Sequence, residues 1–144
     1  MKVSLFVNHT LAPKIERGRL SALAREIVHN EDKKAYSINV VLVDDDYLLD
    51  VNKKFLNHNY KTDVISFDLN AGGNIEGEIY VSMDRARAQA RRYKVSLDSE
   101  VLRLIVHGIL HLTGWEDKTR SEKLRMRRRE NIYIERFSAG PSTR

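Results

Sequence analysis

The stretch Val101-Leu-Arg-Leu-Ile-Val-His107-Gly-Ile-Leu-His111-Leu-Thr-Gly114-Trp-Glu116-Asp117 decides how the rest of the chain must be arranged. Val101, Leu102, Leu104, Ile105, Val106, Ile109, Leu110 and Leu112 surround the helical axis with apolar side chains. A helix apolar nearly all round belongs in the middle of a fold rather than on its surface. Into that run the sequence sets two histidines four residues apart, a little over one helical turn, so their imidazoles share a face and can grip one ion. Burying two imidazoles in such surroundings is costly unless both find partners, and a divalent cation satisfies both together. Gly114 stands where a helix ends in the left-handed conformation that glycine accepts. The chain can then fold back and present Asp117 as a third ligand, leaving an open position on the ion.

Outward from this helix the composition is that of a globular protein, with 144 residues, 42% hydrophobic and 31% charged. The length suits one domain over residues 1–144. No stretch approaches the roughly 20 apolar residues that span a bilayer, and the start lacks the pattern of a signal peptide. There are no cysteines, which excludes disulfides and thiolate metal sites and favours the cytoplasm as the expected location. The 25 Lys and Arg against 20 Asp and Glu leave a formal charge of +5, whose distribution matters more than its size.

Val3, Leu5 and Val7 alternate and predict a strand. Pro13 breaks the pattern, and Leu20, Leu23, Ala24 and Ile27 predict a helix from about Gly18 to Asn30. Ile38 to Val43 reads as a buried central strand. Asp44-Asp45-Asp46 caps the helix that follows, the alternative being a carboxylate cluster for a metal. That helix turns Leu48, Val51, Asn52 and Phe55 inward. Ile65, Phe67 and Leu69 share one face of a strand, which pairs through the turn Asn70 to Asn74 with a second strand from Gly77 to Ser82. Ser82 caps a helix with Met83, Ala86, Ala90 and Tyr93 inside. Ser96 caps the apolar helix, with Asp98 and Glu100 in its first turn. Thr119 and Glu122 form a capping box for the last helix, whose inner face carries Met126, Tyr133 and Phe137. From about Ser138 the tail is expected to fray. The expected fold is α+β: a small mixed four-stranded sheet packed with about five helices, the metal-site helix central.

The spacing H-x3-H-x2-G-x2-D follows the elongated zincin pattern except at two positions. Gly108 replaces the glutamate that serves a metalloprotease as general base, and Asp117 replaces the third histidine. Without that base peptide hydrolysis loses its machinery, and a bulky, charged substrate such as a phosphodiester comes into consideration. Gly108 then either leaves open space beside the ion or permits close packing.

His107-Gly-x-Leu-His111-Leu-x-Gly114 resembles the signature of the YbeY family of bacterial endoribonucleases, or rRNA maturation factors. Leu56-Asn57 and Thr62-Asp63-Val64-Ile65-Ser66-Phe67 are similar to a second family segment. Gly77 to Ser82 resembles its following strand, and Met126 with Glu130 a pairing in its last helix. The resemblance covers about residues 37–135. It implies an α+β fold, a three-ligand zinc-type site, and single-strand-specific RNA cleavage. It also implies a role in maturing ribosomal RNA, notably the small-subunit 3′ end, and in ribosome quality control. The implied ligands are His107, His111 and position 117, where the family carries histidine after aspartate and this chain has Glu116-Asp117. Zn²⁺ is the expected ion, with Ni²⁺ or another divalent metal as the alternative, since a carboxylate ligand alters the site's charge. Lys61 is the residue nearest to an arginine that the family carries after a tyrosine, and lysine lacks the bidentate fork for phosphate.

The expected chemistry is Lewis-acid activation of water and phosphate, with Glu116 as proton acceptor or orienting group and Lys61 steadying the phosphate. Trp115 either stacks on a base or packs its loop. Arg87, Arg91 and Lys94, with Arg85 nearby, form a directed basic patch for RNA, while Arg125, Arg127, Arg128 and Arg129 spread around the last helix. RNA and the small ribosomal subunit are the expected partners, with no membrane. Two other function classes stay open: a metalloprotease-like hydrolase, and a non-catalytic ribosome-associated factor with a structural metal.

Overall fold

The computed structural model describes residues 1–139. Its elements follow in the expected order: β1 (Lys2–Val7), α1 (Arg17–Asn30), β2 (Ala35–Val43), α2 (Asp45–Leu56), β3 (Val64–Asp68), β4 (Ile75–Ser82), α3 (Met83–Tyr93), α4 (Leu97–Leu112) and α5 (Arg120–Ala139). The strands form one sheet in the order β1-β2-β4-β3. β2 runs parallel to β1 and to β4, and only β3 is antiparallel, joined to β4 by the predicted hairpin.

Alternation along the strands sorts the sheet into two faces. Ile38, Val40 and Leu42 of β2, with Ile79 and Val81 of β4, are fully buried in the main core beneath α1 and α4. Gly77 and Gly108 bring α4 close to the sheet. A Cβ on Gly77 would come within 2.5 Å of Leu112, and one on Gly108 within 2.7 Å of Ile79 and 3.0 Å of Ser66. Ser66 Oγ donates to the Gly108 carbonyl at 3.0 Å. Of the two roles open to Gly108, close packing is the one it fills.

α2 packs the opposite face over a smaller core of Val43, Leu48, Val51 and Ile65. Asp44 is its cap, accepting from the Tyr47 N–H at 2.7 Å. Asp45 accepts from Ser82 Oγ and Arg85 and lies 3.7 Å from Lys61. The aspartate run therefore caps and ties down α2 and supplies no metal cluster among the described residues. Ser82, Ser96 and the Thr119–Glu122 box cap α3, α4 and α5 as the sequence predicts.

Three apolar side chains depart from their predicted stripes. Phe55, at the end of α2, is 69% exposed and meets Phe67 edge to face. Among the described residues α2 is the one helix on that face, so its last turn has no second layer to enter. Leu69 follows the end of β3 and is exposed, and Tyr93, at the end of α3, lies half out of the protein at the rim of a cleft. α5 continues through Ser138 to Ala139, and the remainder of the expected frayed tail lies outside the described residues. No helix among them is long and apolar enough to cross a membrane.

Candidate metal centre and flanking clefts

Helical spacing puts His107 and His111 on one face of α4, with ring centroids 4.6 Å apart. Thr113 caps the helix, and Gly114 follows with φ of 105°, a left-handed value that turns the chain back. Asp117 thereby comes to within 3.1 Å of His107 Nε2 and 3.4 Å of His111 Nε2. Ligand atoms of the three residues all lie within 4.8 Å of one another, and no other such group of three occurs among the described residues.

The outer nitrogens fix which atoms face inward. His111 Nδ1 lies 2.9 Å from the Trp115 carbonyl, which can only accept, so Nδ1 carries the proton and Nε2 a free lone pair. His107 Nδ1 donates in the same sense to Glu130 Oε2 at 2.6 Å. The two Nε2 atoms then face each other at 3.0 Å. Two lone pairs at that distance repel unless a cation lies between them. Tetrahedral bonds of about 2.0–2.1 Å require neighbouring ligand atoms about 3.3 Å apart, which the observed 3.0, 3.1 and 3.4 Å approach. The donor set fits a divalent metal ion.

Glu130 is the part of the site that motif spacing did not assign. It is 4% exposed, and its second oxygen accepts from Arg103 at 2.9 Å. Arg103 in turn reaches Asn131 at 2.8 Å. A signal was present: Met126, Glu130, Tyr133 and Phe137 recur at spacings of four, three and four, which places a carboxylate in the inner stripe of α5. Burial pulls the His107 imidazole toward a lower pKa, but the hydrogen bond and charge of Glu130, then the charge of Asp117, outweigh it and raise the pKa. The pocket is thus electrostatically prepared for positive charge, be it a proton or a metal.

Two clefts meet at the triad. One of about 380 Å³ reaches His107 and Asp117 and is walled by α3, α4 and α5. The other, about 420 Å³, runs from Asn52 and Leu56 past Tyr60, Thr62 and Ser66 to His111. Asp63 lines the first cleft, while Thr62 and Ser66 line the second. The family-like segment therefore supplies one wall on each side of the triad.

The remaining candidate residues are placed less centrally. Glu116 is exposed and lines a small cavity with His111 and Asp117. Lys61 and Arg85 both face Asp45 and line neither cleft. Along α3 at about 100° per residue, Arg87 and Arg91 lie roughly 160° around from Gln89 and Tyr93, which line the first cleft, and Lys94 follows the helix in the left-handed conformation. The basic row of α3 and the triad are not brought together. Trp115 packs against the core, donates to Glu31 at 2.8 Å and lies beneath the Arg129 guanidinium. Of its two predicted roles it fills that of holding the loop.

A sequence profile described as Endoribonuclease YbeY matches residues 6–138. A curated protein of that name from Flavobacterium psychrophilum is 40% identical over 77% of this chain and 79% of its own length. Another from Chlorobaculum parvum is 36% identical over 92% and 94%. A Thermotoga maritima protein solved in solution superposes with a TM-score of 0.63 at 28% identity, over 96% of this chain and 90% of that one. Sequence likeness of this extent, on a chain whose signature histidines converge as described, places it in the endoribonuclease YbeY family.

Proposed function

We propose that this chain is a metal-dependent endoribonuclease that cuts single-stranded RNA during ribosomal RNA maturation at the small subunit, in the cytoplasm. His107, His111 and Asp117 are its metal ligands, and zinc is the ion. The observation that carries this reading is the convergence of the two bare Nε2 atoms on the Asp117 carboxylate at the meeting point of two clefts. When bound, a zinc ion there supplies Lewis-acid activation of phosphate and water.

The protein's own groups do the rest. Glu130 and the Trp115 carbonyl hold both imidazoles in the tautomer that keeps Nε2 free, and Arg103 steadies Glu130. The clefts on either side give an extended strand a path past the triad, whereas a duplex is too wide and stiff for such a route. Glu116, beside the third ligand, is the exposed carboxylate positioned to take a proton. Lys61 is engaged with Asp45, so phosphate contact near the first cleft falls to the exposed Lys123 and Arg127 along its lining. Arg87, Arg91 and Lys94 would reach only a longer RNA or the ribosome. Peptide hydrolysis is disfavoured, because Gly108 offers no base and is packed against Ile79 and Ser66.

The test is cleavage of single-stranded ribosomal RNA by zinc-loaded protein and by a His111→Ala variant whose melting curve shows an intact fold. Metal-dependent cleavage should vanish in the variant. Equal cleavage by both would mean a contaminating nuclease and would remove the catalytic claim. Elemental analysis of the purified protein decides between zinc and another metal.

A further inference from the structure

The cleft on the His107 side contains a group for which metal binding has no use. Glu100 lies on α4 two turns before His107 and is 4% exposed. Among the described residues its carboxyl takes part in no hydrogen bond and no ion pair. Among the described residues no fully buried side-chain oxygen lacks a partner, so this carboxyl keeps a little exposure, and the cleft is the cavity that it lines. A charged group this buried is costly to leave unmatched. Burial accordingly raises its pKa, with Arg103 and Arg127 pulling the other way.

Its neighbours suit a flat heterocycle. Leu104 and Met126 are buried apolar side chains of the lining. Tyr93 is 51% exposed at the rim, its ring facing the Arg92 guanidinium at 5.8 Å, and an exposed ring of this kind can stack on a base. Gln89 donates to Asp63 at 3.2 Å, which leaves its amide oxygen available. Lys123 and Arg127 add positive charge at the exposed edge. The cleft's volume of about 380 Å³ lies in the range of small-molecule sites, about 300–1,000 Å³. Seven residues of helix separate Glu100 from His107, about 10 Å along the axis. That is the reach of one nucleotide from its phosphate to the pairing edge of its base.

We propose that this cleft is a base-selective subsite: it takes the base of a nucleotide whose phosphate lies at the triad, and Glu100 favours bases bearing an exocyclic amine over uracil. The chemistry follows from donor and acceptor patterns. An ionised carboxylate accepts from the amine of cytosine, adenine or guanine. Uracil instead presents two carbonyls flanking a single N–H, and these repel a carboxylate. Leaving a buried acceptor unpaired is what makes such a site selective.

The inference rests on the endoribonuclease reading, and two measurements separate them. Calorimetric titration of zinc-loaded protein with cytidine and uridine monophosphates, 5′ and 3′ forms alike, reads the cleft without any cleavage. Cytidine should bind about tenfold or more tighter than uridine. In Glu100→Gln, whose amide both donates and accepts, the ratio should fall toward one. Competition between octacytidine and octauridine in one reaction then reads the same ratio in cleavage rates. Base preference without cleavage upholds the cleft and removes the nuclease reading; cleavage without base preference does the reverse. Equal or absent binding of the two nucleotides to the wild type overturns the proposal, as does an unchanged ratio in Glu100→Gln. Should that variant fail to fold, Tyr93→Ala, at an exposed position, should weaken both nucleotides alike, and undiminished affinity there would equally overturn it.

Discussion

Replacing Glu130 by glutamine changes one oxygen for one NH₂ and should disable the metal site through a tautomer. In the native protein each carboxylate oxygen serves one donor, Oε1 for Arg103 and Oε2 for His107. An amide has a single accepting oxygen. If that oxygen stays with Arg103, the new NH₂ faces His107 Nδ1 and donates to it, which moves the imidazole proton to Nε2, the atom needed for the metal. If the oxygen turns to His107, the NH₂ opposes a guanidinium whose side chain is only 19% exposed. Loss of such an orienting partner costs about 10- to 100-fold in metal affinity. That equals about 1.4–2.7 kcal/mol of metal-linked stabilisation, or about 3–10 °C in melting temperature for a chain of this size. Chelator-competition titration with zinc, paired with melting curves with and without the ion, measures both quantities. Zinc affinity equal to wild type in a folded Glu130→Gln protein would refute the tautomer argument.

Four further outcomes are expected. Gly108→Ala gains about 1 kcal/mol of helix propensity but crowds Ile79 and Ser66, an overpacking cost of about 1–3 kcal/mol; a thermal melt should show net destabilisation, and a stabilised variant would contradict the close contact. Asp117→Ala should lower zinc affinity by more than the roughly 100-fold upper range of a supporting residue while Glu116→Ala changes it little; the reverse order in a titration would make Glu116 the third ligand. Burial alone would raise the Glu31 carboxyl, but hydrogen bonds from Tyr133, Trp115 and Arg129 and the Arg129 charge hold it below the usual carboxylate range. Its stabilising contribution is therefore present above the unfolded-state value and lost as pH falls through the lowered one, so melting temperature should drop in acid less steeply for Glu31→Gln than for wild type. Removing Lys123 and Arg127 together should flatten the salt dependence of single-stranded RNA binding by about 1.4 in log–log slope, and an unchanged slope would place the phosphate contacts elsewhere.

Most of the architecture was legible because the sequence repeats its signals locally. Apolar periodicity, Ser82, Ser96 and the Thr119–Glu122 box each mark an element by chemistry confined to a few residues, and the structure follows them. The failures lie at element ends. Phe55, Leu69 and Tyr93 obey the period of their elements, yet period tells which way a side chain points and not whether another layer covers it. The same limit governs the basic row on α3. Its helical spacing was plain, but its angle to the cleft depends on how α3 is rotated against α4, which is a tertiary quantity.

The metal site divides along the same line. Two histidines one turn apart and a glycine that ends the helix are local facts, and they suffice to bring Asp117 back over the imidazoles. What makes those imidazoles competent comes from α5, 23 residues beyond His107, where Glu130 sets the tautomer. A carboxylate at position 117 and a carboxylate behind the first histidine place two acidic groups beside the two imidazoles. The charge of a dication bound there would be met in part within the site. The affinity ranking of Asp117→Ala against Glu130→Gln measures how that charge is shared between the proposed ligand and its support.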